Sequence, residues 1–294
     1  MSDDAEHVLC HHLVGFFDVL GQSSRLRQLT GLPESEAQRL ELIRVLKDTV
    51  GVVLGVRRMF KDFFGAFEGP TEFAKALSAP ERELLMKATN AKVVYRGISD
   101  SFIVTVCLAE TGLEPAPISG VYRAFVAAAG MWLLALSIGH PIRGGIDVGL
   151  AIDIDDDEVY GPVLDSAYRL ESNVAGGPRI VVGDGCVDYL RFVQGRPQTD
   201  VHVKVASAVA SWCLSMLRHD HDGVVTLDPL GDRMLDVSKA IDGTPGANIR
   251  DRVKPAHDVV RQQLANAQES GDAKLLSRYQ QLLGYFDERA SHWT

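Results

Sequence analysis

At 294 residues, 46% hydrophobic and 23% charged, the chain has an ordinary globular composition, with material for one large core or two smaller ones. Its net charge of −9 weighs against non-specific nucleic-acid binding, because the phosphate backbone is repelled, but not against a small anionic substrate once a bound cation inverts the local field. Asp3, Asp4 and Glu6 occupy the place of a basic secretory start, and Cys10, Cys107, Cys186 and Cys213 lack metal-ligand spacing, so reduced thiols and a cytoplasmic location are expected.

In chain order, an apolar strand is predicted over residues 13–18, running into Asp18 and a glycine-containing turn. A long helical region spans about 24–89, clearest over 41–50, where apolar residues recur at helical spacing. Two apolar runs joined by a tight turn at Asp100 predict a hairpin over 92–107. The apolar run 125–139 is too short to span a bilayer and reads as part of a buried helix over 120–138, so no membrane association is expected.

Residues 141–152 then alternate as a strand, and an acidic connector over 153–158 follows. That connector lacks the Gly and terminal Glu spacing of a calcium loop and reads as solvated. A helix over 162–172, a strand over 179–183 and a helix over 184–193 complete the first part. The order β-α-β-β-α-β plus an added αβα predicts an α+β, ferredoxin-like fold: a mainly antiparallel sheet with helices on one face. If the first strand lies beside the hairpin, Asp18 and Asp100 converge at one rim.

A boundary is expected near residue 197, dividing a domain over 1–197 from a C-terminal region over 198–294. In the latter, 201–218 is apolar and 220–248 reads as loop and short strand. Two amphipathic helices, 251–268 and 273–289, should pack as a hairpin.

Carboxylates at neighbouring strand ends can hold hard divalent cations, and such cations manage triphosphate chemistry. Four patterns bear on this in one order: Asp18-Val19-Leu20-Gly21-Gln22-Ser23 after a strand; Arg96-Gly97-Ile98-Ser99-Asp100 in the hairpin; Arg143-Gly144-Gly145-Ile146-Asp147 on a strand; and Gly161-Pro162-Val163-Leu164-Asp165-Ser166-Ala167-Tyr168-Arg169 entering a helix. Singly, each residue has an ordinary role as strand end, turn or surface helix position. Together, over roughly residues 10–195, they resemble the class III nucleotide cyclase domain.

The resemblance implies that Asp18, Asp100 and the Val19 carbonyl bind two divalent cations, Mn²⁺ or Mg²⁺. It implies that Leu20, Gly21, Gln22 and Ser23 cradle the triphosphate of a nucleoside triphosphate, and that Arg169 neutralises charge on the phosphate. In that family the metal carboxylates and the arginine helix of one site come from opposite subunits, so a head-to-tail homodimer is implied. Asp165 falls where the family has a ribose-orienting asparagine. Arg96 replaces the purine-reading lysine, and the second base-reading position falls on Glu158. A forked donor suits pyrimidine carbonyls, uracil ahead of cytosine. Phe17 is close enough in sequence to Asp18 to line the base or ribose pocket.

The long helical insert and the C-terminal, sensor-like region make the chain most similar to the pyrimidine nucleotide cyclases of bacterial Pycsar anti-phage systems. A purine cyclase, a related palm-type enzyme and a non-catalytic cyclase-like nucleotide-binding module are the alternatives. The absence of Gly-Gly-Asp-Glu-Phe argues against a diguanylate cyclase.

Overall fold

Alternation is the first determinant of the architecture. In β1 (Leu9–Val19) Leu13, Phe17 and Val19 face one way, while Val14, Phe16 and Asp18 face the other. In the computed structural model, residues 9–22, 31–66, 93–110, 118–155, 158–197, 201–240 and 249–293 are described.

β1 lies between β3 (Ser101–Glu110) and β4 (Ile142–Asp155), antiparallel to both, and β2 (Val93–Ile98) pairs with β3 outside it. The sheet order is β2-β3-β1-β4-β6-β8-β7, with the short β5 (Glu158–Tyr160) on β4. β6 (Ile180–Val182) is parallel to β4; the other pairings are antiparallel. The first four strands thus form the expected split βαβ core of a mixed α+β fold.

The inward face of the sheet is covered by α1 (Glu36–Gly65) and α2 (Ile118–Ser137). Val53, Val56, Phe60 and Phe64 recur on α1 at three- and four-residue spacing, giving it one apolar stripe. That stripe meets Phe17 and Phe102, with the Phe17 ring 5.5 Å from Phe60 and 5.2 Å from Phe102. Of the expected helical insert over 24–89, residues 31–66 lie within the described residues, and 36–65 of these are helical. α2 is long and apolar enough to cross a membrane by composition, yet 83% of its apolar window is buried inside the fold.

The second face is not bare. α3 (Pro162–Arg169) packs there, its Val163 and Ala167 against Val14, Phe16, Ile103 and Ala151. Gly145 permits the approach: a Cβ would lie 2.3 Å from the Ala167 carbonyl oxygen. The helices therefore gather mainly on one face, as expected, with α3 as an addition on the other.

Beyond residue 197 the sheet continues. After α4 (Asp184–Gln194) and α5 (Val201–Leu214), β7 (Leu217–His219) and β8 (Val225–Leu227) form a hairpin, and Val181 of β6 pairs with Thr226 of β8. α6 (Asp232–Ala240) follows, where only loop and short strand were expected. α7 (Arg250–Ser270) and α8 (Ala273–Trp293) form the expected hairpin. Phe286 of α8 stacks on Trp132 of α2 at 6.1 Å, and the Trp132 indole donates to the Pro178 carbonyl at 2.9 Å. The boundary expected near residue 197 therefore separates neither the sheet nor the core: the C-terminal region shares both.

Candidate active site

Strand register builds the site. Asp18 of β1 lies directly opposite Ser101 of β3 and Arg143 of β4, and directly opposed residues present their side chains on the same face. Ser101 Oγ donates to Asp18 Oδ1 at 3.0 Å, and Arg143 reaches Asp18 Oδ2 at 3.4 Å. Arg143 also donates to Glu171 Oε1 at 2.5 Å.

Asp100 sits in the two-residue turn between β2 and β3, after Ser99, whose φ of 54° is uncommon outside glycine and suits such a turn. The Asp100 carbonyl accepts from the Val19 amide at 3.3 Å, tying the turn to the end of β1. Asp18, Val19 and Asp100 are thereby brought to one rim.

Glu171 arrives by another route. α3 passes into a π-helical turn over Leu170–Val174, a widening that recurs at functional sites. Within it Glu171 is only 3% exposed and bonded to Arg143. Burial raises the pKa of Glu171; Arg143 pulls it back, and Asp18 and Asp100 add to the rise. Burial also raises Asp18, opposed by the Ser101 hydrogen bond and by Arg143 and reinforced by Asp100. Three carboxylates thus share one electrostatic neighbourhood with Arg143, and half-buried Asp18 and buried Glu171 are held above their ordinary range. Such a group is short of positive charge, and oxygen donors of this kind suit hard divalent cations.

The remaining expected residues are distributed as follows. Leu20 and Gly21 follow Asp18 in a turn, but the Leu20 amide is already donated to the Pro141 carbonyl at 3.0 Å. It is therefore not open to a phosphate. Gln22 is buried, with its Oε1 atom lacking a hydrogen-bond partner among the described residues, and Ser23 lies outside them.

Phe17, expected beside base or ribose, is 1% exposed in the aromatic core, because adjacent strand residues face opposite sides. Its neighbour Phe16 faces the Asp18 side, edge-on to Tyr168 at 5.3 Å. Arg96 shares the Asp18 face, two strand positions away, and leans from the rim to donate to Thr105 Oγ1 at 3.0 Å.

Arg169 and Asp165 are not brought to Asp18 within the chain. Both are about 70% exposed on α3 and face each other at 3.9 Å. Glu158 is exposed on β5. Between α3 and the β2–β3 hairpin lies an open groove of about 730 Å³, lined by Phe16, Ile98, Ile103, Tyr160, Leu164 and Tyr168, with Asp165 at its edge. Ile98 is 54% and Tyr160 71% exposed, so the groove is apolar and uncovered.

Arg143, Glu171 and Ser101 are functional candidates that sequence reasoning did not single out. The signal for Arg143 lay inside a motif already noted; only its pairing opposite Asp18 reveals its partner.

No protein-family model and no curated protein matches the chain. Several solved structures resemble it. One is a class III adenylyl cyclase-like ATP-binding protein from Pseudomonas aeruginosa, 14% identical, with a TM-score of 0.41 over 69% of this chain and 40% of that one. The second is a bacterial light-regulated adenylyl cyclase, 13% identical, with a TM-score of 0.40 over 81% and 58%. The third is the catalytic core of a rhodopsin-guanylyl cyclase with converted specificity in complex with ATPαS, 14% identical, with a TM-score of 0.38 over 63% and 84%. The chain therefore spans less than half the length of the first of these.

Proposed function

We propose that the chain is a metal-dependent nucleotidyl cyclase that converts a pyrimidine nucleoside triphosphate, UTP ahead of CTP, to its 3′,5′-cyclic monophosphate and pyrophosphate. The observation that carries this reading is the rim where Asp18, Val19 and Asp100 meet, with burial and mutual repulsion raising Asp18. Two divalent cations held by Asp18, Asp100 and the Val19 carbonyl would stabilise charge on the attacking and leaving oxygens.

The ribose 3′-hydroxyl releases its proton to solvent water and its oxygen bonds to the α-phosphorus. The bond from that phosphorus to the bridging oxygen breaks, and pyrophosphate departs. Arg143 holds Asp18 in place from beneath, sharing its charge with Glu171. Arg169 supplies the guanidinium for the developing phosphate charge. Because Arg169 projects outward beside an uncovered apolar groove, we assign it to the site of a second copy seated on that groove. Arg96 and Glu158 would read the base, which requires Arg96 to leave Thr105 and turn toward the rim. By the resemblance to Pycsar cyclases, the cyclic product would act as a second messenger in anti-phage defence.

The direct test is incubation with each of the four ribonucleoside triphosphates and Mn²⁺, with products identified by mass. Cyclic UMP is the expected main product. A main product of cyclic AMP or cyclic GMP would overturn the pyrimidine assignment, and no cyclic product from any of the four would favour the nucleotide-binding module.

The shared site makes its own prediction. Asp18→Ala and Arg169→Ala are each expected to be inactive. Mixed and allowed to exchange, they should recover about a quarter of wild-type activity, since random pairing makes half the dimers mixed and each mixed dimer has one intact site. Activity that stays absent after verified exchange would place both residues in one subunit's site.

A further inference from the structure

A second cavity, of about 390 Å³, opens where the β6–β8–β7 edge of the sheet meets α8, and its lining shares no residue with the Asp18 rim. Its volume is in the range of small-molecule sites. Trp132, Leu227 and Leu282 give it an apolar floor, and all three are buried. Its walls carry four cationic side chains, Arg179, Arg218, Lys274 and Arg278, against two carboxylates, Asp220 and Asp222. The excess is positive in a chain whose net charge is −9.

The two carboxylates are already engaged. Arg179 donates to Asp220 at 2.7 Å and to Asp222 at 2.6 Å, and this pairing takes the Asp222 carboxyl down to about 2. Asp220, His221 and Asp222 are close enough together to hold a metal ion, but a cation there would have to displace Arg179. Arg218 is partly engaged as well, lying over the Tyr285 ring at 4.6 Å and reaching Glu288 at 3.6 Å.

Lys274 and Arg278 differ. One turn apart on α8, they lie on the same side of the helix, and neither forms an ion pair among the described residues. Arg278 is half-buried, and both that burial and the nearby guanidinium of Arg143 disfavour its charge, a cost that Asp272 and Tyr279 offset only in part. A cation desolvated and set against a like charge is stabilised by an anion, and a phosphate accepts from guanidinium and ammonium donors together.

We propose that this cavity binds a small phosphomonoester bearing a flat ring, the mononucleotide class. The ring lies on the Trp132–Leu282 floor and the phosphate between Lys274 and Arg278. The proposal is independent of the cyclase reading, because it concerns a different cavity and needs no turnover.

The test is calorimetric titration of the whole chain with uridine 5′-monophosphate, adenosine 5′-monophosphate and inorganic phosphate, in buffer stripped of divalent cations. Saturable binding of a nucleotide is expected. It should weaken at least about tenfold in Arg278→Ala, which removes a charged hydrogen-bond donor. Gln281→Glu, which adds a negative charge at an exposed wall position, should weaken it similarly while leaving the melting curve unchanged. Inorganic phosphate should bind far more weakly than either nucleotide, lacking the ring. The proposal is overturned by the absence of saturable nucleotide binding, by affinities unaltered in both variants, or by phosphate binding as tightly as the nucleotides.

Discussion

Asp18→Asn is expected to remove cyclic-nucleotide formation and, at the same time, to raise the melting temperature of the metal-free protein. The activity loss should be on the order of a thousandfold or more, because a cation ligand contributes several kcal/mol of charge stabilisation to phosphoryl chemistry. Stability moves the other way because of the environment of Asp18. Burial raises its pKa above the ordinary 3.8, and the Asp100 charge adds to the rise, outweighing Ser101 and Arg143.

A carboxyl raised in the folded state contributes stability that is fully present below its unfolded pKa and lost as pH rises through the folded value. The metal-free wild type should therefore lose this contribution as pH climbs above 3.8, while Asp18→Asn, which cannot ionise, should not. Mn²⁺ should reverse the order at neutral pH by stabilising the wild type and leaving the variant unmoved. Thermal melts of both proteins from pH 4 to pH 8, with and without Mn²⁺, read this directly. A variant no more stable than the metal-free wild type at neutral pH would mean that Asp18 is held as a structural ion pair with Arg143.

The same neighbourhood shows which parts of the site were legible in the sequence. The strand–Asp18–turn and the Asp100 hairpin are local patterns, whereas the placement of β1 beside the hairpin was only a condition in the sequence and is supplied by the β1–β3 pairing. Arg143 was visible as a residue but not as a partner, because its place opposite Asp18 depends on the register between strands more than a hundred residues apart. Phe17 was misplaced although the signal was present: a period of two sends it inward when Asp18 faces out. The Leu20 amide could not be judged at all, since its acceptor, Pro141, comes from a distant connection.

The C-terminal half shows the same limit on a larger scale. β7 and β8 are three residues each, too short to alternate measurably, and α6 begins with Asp232 inside a stretch rich in Asp and Gly. β7 and β8 join the sheet through the pairing of Thr226 with Val181, and the C-terminal helices join the core where Trp132 meets Phe286. A boundary drawn from composition had access to neither contact.

Asp147→Ala is expected to be the most damaging substitution to the fold, lowering unfolding free energy by several kcal/mol, at about 1–3 kcal/mol for each buried donor left without its acceptor. Asp147 is buried on β4 and accepts from the Val148 and Cys186 amides, each at 2.9 Å, and from Ser166 Oγ at 2.5 Å. Those three donors belong to β4 itself, the first turn of α4 and α3. Gly183, at the start of α4, has no side chain with which to cap the helix, so a carboxylate from the strand accepts from its first turn and complements its dipole. With alanine there, the Cys186 amide loses its charged acceptor and the Ser166 hydroxyl its buried one, and α3 is released from the sheet. Asp147→Asn retains one acceptor oxygen and should cost clearly less. Urea denaturation should show a lower midpoint for both variants, alanine well below asparagine, with unchanged slope. Because α3 also carries Arg169 and leads into the turn that presents Glu171, Asp147→Ala should lose activity even under conditions where it remains folded. Equal and small losses for both variants would show that the three donors find other partners, and that Asp147 does not organise the approach of α3 and α4 to the strand.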